Sequence, residues 1–466
     1  MTQIPNITSR LDAFGALLDQ AREYAGEYIN AAHEQALNPG AAALARLSEF
    51  DTPLPDGPTE ASEMLAQLHD IGSPTTLPST GGRYFGFVNG GAHPPALAAK
   101  WLSDIWDQNA AFYVMSPITS KLEEVCERWI VELLGLPKQT VAGFVGGTST
   151  AIAAGLVTAR NELLTRQGWD VAARGLFGAP EIRVVLGAQA HGAVYKALSY
   201  IGLGRDRVEI VPSDDQGRMI AEKMPALDAH TLVVAQAGDV NSGAFDPLDA
   251  ICEQAQKAGA WVHVDGAFGL WAAASKNKRG LLRGFENADS WAVDAHKTLN
   301  APYDCGIILC RHPQKLASAM QASGSYLQRT DGQRDGMYYV PEMSRRARAT
   351  ELWALLKTMG RSGVEDLVDR LCSHAQSMAD GLKTHGFQIK NDVVFNQVLV
   401  ACDTPELTQA VLTNIQEDGE IWCGGATWHD SPVIRVSICS WTTTQADIER
   451  AVAAFCAARE RAKTSP

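Results

Sequence analysis

The stretch from Trp261 to Arg311 constrains the fold more than any other part of the chain. It reads WVHVDGAFGLW, then a polar and basic loop, then ADSWAVDAHKTLNAPYDCGIILCR. A short apolar run carries His263 and Asp265 to its end, and Gly266 follows. Such a run, closed by an acid, predicts a buried strand that delivers a carboxylate to a sheet edge. Lys297 follows a second run of the same kind, between His296 and Thr298. An acid and a lysine, each just past a strand, require a fold that gathers strand ends.

The preceding chain has the matching pattern. IRVVLGAQ (182–189) and TLVVAQAG (231–238) are strand-like, and helix-like segments at 191–202 and 247–259 follow them. This alternation predicts an α/β protein with a mostly parallel sheet covered on both faces. Ligands in such sheets bind beyond the carboxyl ends of the strands. His191, Asp265 and Lys297 each come just after a strand-like run.

A lysine that holds an aldehyde cofactor covalently, and an acid that keeps a pyridine nitrogen protonated, are what a pyridoxal 5'-phosphate site needs. GFVGGTSTAIAAGLVTAR at 143–160 adds an anion cradle. Its Gly147 and the hydroxyls of Thr148, Ser149 and Thr150 stand at the start of a helix-forming segment, where backbone N–H groups attract phosphate. It has neither the lysine of a Walker-type loop nor a G-x-G-x-x-G fingerprint. A GGTST turn alone is weak evidence for phosphate; it gains meaning beside Asp265 and Lys297.

With DAHK at 294–297 and HVDGAFG at 263–269, the chain resembles the group II pyridoxal-phosphate-dependent amino-acid decarboxylases, relatives of the glutamate and aromatic amino-acid decarboxylases. The resemblance begins at Tyr84 and continues past Glu449. It implies the type I pyridoxal-phosphate fold: an N-terminal helical segment (1–80), a large cofactor-binding domain (81–355) and a small C-terminal α/β domain (356–466). It implies a homodimer with the active site at the interface. The implied reaction is α-decarboxylation of an L-amino acid to the amine and CO2, with Lys297 as the attachment point and Asp265 at the pyridine nitrogen.

The resemblance also assigns roles elsewhere. HGAVYKALSYIGLG is similar to the family's H-x-S-x-x-K-A motif, in which the histidine, here His191, stacks on the ring and is the leading acid/base. Ala193 replaces the serine. AGDVNSGAFDPL aligns with a turn often reading G-T-T-x-x-G; Asp239 and Val240 replace the threonines, leaving Asn241 or Ser242 to reach the ring hydroxyl. The Gly- and aromatic-rich loop 79–95 lies at the family's substrate entrance, so Tyr84, Phe85 and Phe87 are substrate-contact candidates, with plain packing the alternative. Residues 321–341 are polar, Gly-rich and expected to be mobile; in the family this region is a loop that carries a catalytic tyrosine and closes over the partner subunit's active site. Tyr338 and Tyr339 are available, but their spacing from Pro341 departs from the aromatic decarboxylases. Packing at a strand start is their other reading. Arg345 and Arg346 are candidates for phosphate or carboxylate binding, or equally for structural ion pairs, and Arg435 is a candidate for carboxylate binding.

At the N-terminus, residues 9–38 predict an amphipathic helix with Leu11, Phe14, Leu18, Ala21, Ala25 and Tyr28 on one face. A Pro-rich break (50–58) and a second helix (59–70) follow. The family packs this segment on the partner subunit; a capping helix pair is the alternative. Ser116-Pro117 predicts an N-cap and first turn, and Gly135 and Pro137 the end, of the next helix.

Composition excludes several classes. A net charge of -13 disfavours nucleic acid or an anionic membrane as partner. No 18-residue apolar run exists, and MTQIPNITSRLDAFG has no signal-peptide pattern. Nine scattered cysteines without C-x-x-C fit a reducing compartment, so a cytoplasmic location is expected. No His/Cys/Asp cluster has zinc spacing, and no metal is expected. Other reactions on the same cofactor (carbon–carbon lyase, aldolase, aminotransferase) stay open, as does a non-catalytic scaffold; a dinucleotide-binding dehydrogenase lacks its glycine fingerprint. The sequence does not name the amino acid.

Overall fold

Seven strands between Val141 and Cys310 pair into one sheet. They are β1 Val141–Val145, β2 Arg183–Gly187, β3 Val208–Val211, β4 Thr231–Gln236, β5 Trp261–Asp265, β6 Ser290–Asp294 and β7 Gly306–Cys310. The computed structural model describes residues 7–321 and 332–464, with side chains from Leu11 onward. The sheet order is β1-β7-β6-β5-β4-β2-β3. Only β7 runs antiparallel, to both β1 and β6; the other pairings are parallel. Every residue of β4 through β7 is buried, as a sheet covered on both faces requires. The apolar runs read from the sequence are therefore strands, and helices Gly192–Tyr200 and Leu248–Ala258 occupy the connections expected for them.

A second, antiparallel sheet lies nearer the C-terminus. It is built from β8 Gln388–Ile389, β9 Gln397–Ala401, β10 Gly424–Trp428 and β11 Ser431–Ser437, in the order β10-β11-β9-β8. Helices Pro405–Asp418 and Gln445–Thr464 pack against each other beside it. The helical element Ala349–Thr384 joins the two parts. Its first residues, such as Leu352 and Leu355, belong to the large core; Leu371 and Met378 belong to the small one. It breaks at Gly360 (φ 61°, ψ -175°), in the left-handed region where glycine carries no Cβ penalty.

Helix Ile7–Ala32 and the shorter helix Ala61–Gln67 form the N-terminal segment, and 51–60 between them has no regular structure. The described residues leave the first part of this helix's predicted apolar face exposed, at Leu11, Phe14 and Leu18, while Ala21, Ala25 and Tyr28 are half-buried. Helix Pro117–Leu134 starts and ends where the sequence indicates, with Gly135 at φ 70°. Ser116 stands at the N-cap, but its buried hydroxyl makes no capping bond and has no partner among the described residues.

Of the loop expected to be mobile, 322–331 lies outside the described residues. The described part, 332–341, is held to neighbouring segments by ion pairs and hydrogen bonds. Arg334 is ion-paired with Glu123 (3.2 Å) and Glu127 (2.6 Å). The Asp335 carboxylate accepts the Tyr113 N–H at 2.9 Å, and Met337 N–H donates to Ala111 O at 3.2 Å.

Candidate active site

Parallel strands aim their carboxyl ends at one side of the sheet, and the chemistry-bearing groups collect there. Gln236, Asp265 and Asp294 close the adjacent strands β4, β5 and β6, with Gln236 in register with Asp265 and Asp265 with Ala292. Beyond β1, the turn at Gly146 and Gly147 leads into helix Thr148–Thr165. Beyond β2, His191 caps helix Gly192–Tyr200. A cavity of about 420 Å³ opens between them. Gly147, Thr148, Ser149, His191, Asp265, His296 and Lys297 all line it.

Close backbone approaches fix this arrangement. A Cβ on Gly306 would stand 2.4 Å from the Gly147 Cα, so the start of β7 can abut the GGTST turn only as glycine. A Cβ on Gly90 would stand 2.2 Å from the Lys297 carbonyl oxygen. That contact brings the 79–95 loop against the lysine turn. Asn300, at φ 61°, knits the same region: its Oδ1 accepts from Gly91 N (2.6 Å) and Trp441 N (2.9 Å), and its Nδ2 donates to Cys439 O (2.9 Å).

Asp265 is buried, and one hydrogen bond reaches it, from Ala267 N–H to Oδ1 at 3.2 Å. Burial raises its carboxyl above the ordinary range, and the nearby His191 and Lys297 offset part of that rise. His191 Nδ1 accepts the Ala193 N–H at 3.1 Å. That bond assigns the proton of the neutral ring to Nε2. Lys297 Nζ lies 3.1 Å from Asp294 Oδ2, and His296 Nε2 lies 3.5 Å from the same oxygen. Burial lowers the His296 imidazole below its usual range, which keeps the ring neutral. His296 Nδ1 accepts the Cys305 N–H at 3.1 Å. Tyr303 stacks on His296 with ring centroids 4.3 Å apart, and its hydroxyl donates to Asn89 Oδ1 at 3.0 Å.

Other candidates lie elsewhere. Phe85 is fully buried in the core of the smaller sheet domain, and its backbone bonds Trp422 and Ser437, so it has no face to offer a substrate. Tyr84 is buried and stacks on Trp422 at 5.1 Å; Phe87 is exposed and tilts against the same indole. Asn241 does not line the cavity. Its N–H bonds the Asp239 carboxylate, and its side-chain oxygen accepts from Arg435 at 3.4 Å. Ser242, the other candidate, bonds Gln216 O and Asp239. Val240 lines the cavity at this turn. Tyr338 and Tyr339 do not line the cavity of their own chain; Tyr339 lies under the Arg334 guanidinium at 4.4 Å, and Tyr338 packs beside Phe112 and Met337. Arg345 pairs with Glu123, and Arg346 with Glu351 and Asp304, which favours the structural reading of both.

Sequence reasoning overlooked Asp294, Gln236 and Tyr303. Asp294 and Gln236 had a signal, since each closes its apolar run as Asp265 does; Tyr303 carried none.

The cavity's groups fit pyridoxal phosphate. Asp265 is a buried carboxylate in need of a positively charged N–H partner. Lys297 offers an amine to the same space. The Gly147–Ser149 turn begins a helix of 18 residues, whose first N–H groups suit a phosphate. Among the described residues no group of His, Cys, Asp and Glu has metal-site geometry, and no helix is long and apolar enough to cross a membrane.

Comparison with known proteins agrees with this chemistry. The family model described as "Pyridoxal-dependent decarboxylase conserved domain" matches residues 45–401. Acidic amino acid decarboxylase GADL1 of Mus musculus is 29% identical over 354 residues, which is 73% of this chain and 62% of that protein. Cysteine sulfinic acid decarboxylase of Mus musculus is 29% identical over 334 residues, 68% of this chain and 66% of that one. The match thus spans just under two thirds of each relative. Among solved structures, Oryza sativa TDC with PLP and tryptamine has a TM-score of 0.90 at 20% identity, covering 99% of both chains. Mouse CSAD has a TM-score of 0.87 at 22% identity, covering 96% of this chain and 98% of that one. At these identities the two structures speak for the fold alone.

Proposed function

We infer the activity of this chain from its membership: it belongs to the pyridoxal-dependent decarboxylase family, and its reaction is the α-decarboxylation of an L-amino acid to the amine and CO2. The single observation that carries the reading is the convergence of Asp265, Lys297 and the Gly147–Ser149 turn on one cavity. The bound cofactor supplies the electron sink that makes loss of a carboxylate feasible. Asp265, buried on the cavity wall, would hold a positive charge at the pyridine nitrogen. Lys297 Nζ, in the same cavity as Asp265, would hold the cofactor covalently. His191, on the cavity wall, would stand beside the cofactor, and Nε2, the nitrogen that Ala193 N–H does not engage, would be the atom that moves a proton. The protein's share is to bind, orient and exclude water; orientation alone supplies a large part of such a rate enhancement.

The reading includes a homodimer. Its support is the apolar surface left uncovered in one chain: Leu11, Phe14 and Leu18 on the first helix, and Trp101, Leu102 and Ile105 on helix Pro94–Trp106. It keeps the division into residues 1–80, 81–355 and 356–466, supported by the two separate sheets and the break at Gly360. A cytoplasmic location is supported by nine cysteines with no disulfide among them.

The test is a panel of amino acids offered to the purified protein with pyridoxal phosphate. It includes aspartate, glutamate and cysteine sulfinate, because the relatives are named for acidic amino acids, and aromatic amino acids beside them. Products are scored as CO2 and amine against keto acid or aldehyde. Keto acid or aldehyde without CO2, from any substrate that turns over, would replace decarboxylation by transamination or carbon–carbon cleavage.

A further inference from the structure

The phosphate reading of the Gly147–Ser149 turn leaves one contact unexplained. The turn already serves an anion that belongs to the chain. Asp294 closes β6, and its side chain is buried. Its Oδ1 accepts the Thr148 N–H at 2.7 Å, and its Oδ2 accepts the Thr148 hydroxyl. Lys297 Nζ and His296 Nε2 approach Oδ2 at 3.1 and 3.5 Å. Thr148 is the first residue of its helix, so its N–H belongs to the positive end of the helix dipole. A helix end of this kind suits one anion. A carboxylate and a phosphate placed there together repel each other, and more strongly in a buried site than in water.

We propose that Asp294 competes with the cofactor's phosphate for the Thr148 donors, and so sets the affinity of this chain for pyridoxal phosphate. The inference rests on the phosphate reading of the turn. Asparagine at 294 has nearly the same volume and retains an Oδ1 acceptor for the Thr148 N–H. It removes the negative charge and adds an Nδ2 donor that suits a phosphate oxygen. The charge, not the shape, is therefore what the exchange tests. A residue that merely braced the turn would give the opposite sign, because any disturbance of the brace loosens the cofactor.

The experiment titrates full-length apoprotein, freed of cofactor, with pyridoxal phosphate and separately with pyridoxal, which lacks the phosphate. Absorbance of the attached cofactor is the signal. The ratio of the two affinities cancels any change in the reactivity of Lys297. In Asp294→Asn this ratio rises about tenfold or more in favour of pyridoxal phosphate, and inorganic phosphate becomes a stronger competitor by a similar factor. In Asp294→Glu, which keeps the charge, the ratio does not rise. Asp294→Ser, which also removes the charge, is read in the same way should the asparagine variant fail to fold. An unchanged or lower ratio in the charge-removing variants overturns the proposal, as does a rise in the glutamate variant. Failure of the phosphate reading itself looks different: wild-type protein would then prefer pyridoxal phosphate no more than pyridoxal.

Discussion

Arg345 and Glu123 form an ion pair 2.5 Å long, with each side chain 1% exposed. Arg345 Nη2 also donates to Ala110 O at 2.9 Å, while its buried Nε has no partner among the described residues. The second carboxylate oxygen of Glu123 takes Arg334 at 3.2 Å. Glu123 therefore ties helix Pro117–Leu134 both to the described end of the 321–341 loop and to the chain just before the helix at Ala349. Glu123→Gln leaves two buried guanidinium groups facing a neutral amide. Breaking a buried pair from one side costs about 3–5 kcal/mol. Chemical denaturation of the variant is expected to show a loss of that order. A loss below about 1 kcal/mol, the worth of an exposed pair, would show that the pair is not buried in solution.

Asp265 and Lys297 are separable by experiment. Borohydride treatment of the cofactor-loaded protein is expected to fix the label on Lys297, and peptide mapping reads the position directly. A label on any other lysine would sink the assignment. Asp265→Asn keeps a side chain of the same size but cannot hold a positive charge at the pyridine nitrogen. Each pKa unit lost by that nitrogen corresponds to about 1.4 kcal/mol, or tenfold. The variant is expected to retain cofactor yet turn over about 100-fold more slowly, a loss of two such units. Near-normal kcat with bound cofactor would refute the electrostatic role.

Asp246 makes the chain's stability depend on pH. Its carboxylate accepts Met219 N–H and Gln236 N–H, each at 2.7 Å. Burial nevertheless pushes its pKa up from 3.8 to about 7, with the nearby Asp239 charge adding to the rise. Between those values the folded chain holds a proton that the unfolded chain has released. Stability therefore falls as pH rises across that interval. From pH 5 to 7.5 the side chain contributes a loss of about 2–3 kcal/mol. Urea unfolding of wild type and Asp246→Asn at both pH values isolates it: wild type should lose more than the variant by that amount. Equal losses in the two proteins would mean that Asp246 is ionised in the fold at both.

The fold was legible because its signals are local. Apolar runs that end in Gln236, Asp265 and Asp294 read as buried strands from composition and length, and Gly135 marks a helix end through its backbone freedom. Much of the site was legible for the same reason, since residues just past parallel strands must share an edge. What escaped depends on distant partners. Nothing local to Phe85 says that its backbone pairs with Trp422 and Ser437, which takes the ring into the smaller core. Nothing local to Asn241 reveals Arg435 across from it. Tyr303 reads as an ordinary loop residue until the turn after Lys297 folds it onto His296. Antiparallel β7 was also hidden, because an apolar run carries no direction.

The tyrosines at 338 and 339 were candidates for the proton donor that completes amine formation. Both stand in the turn Gly336–Tyr339, which Asp335 and Met337 anchor to the 111–113 segment. Tyr339 lies against a guanidinium held by two glutamates, and its backbone oxygen approaches β1 so closely that Gly143 has no room for a Cβ. A side chain packed in this way resists the swing that would bring its hydroxyl to a substrate in the cavity. Tyr339→Phe retains the ring beneath Arg334 and removes only the hydroxyl. The expected outcome for Tyr338→Phe and Tyr339→Phe is an unchanged ratio of amine to aldehyde, with any loss falling on all products together. Product analysis by mass spectrometry against CO2 release measures that ratio. If either variant releases CO2 at the wild-type rate while returning less amine and more aldehyde, its hydroxyl is the donor and the turn must move. If both leave the ratio unchanged, the donor is sought at His191 Nε2 or in a water held beside it.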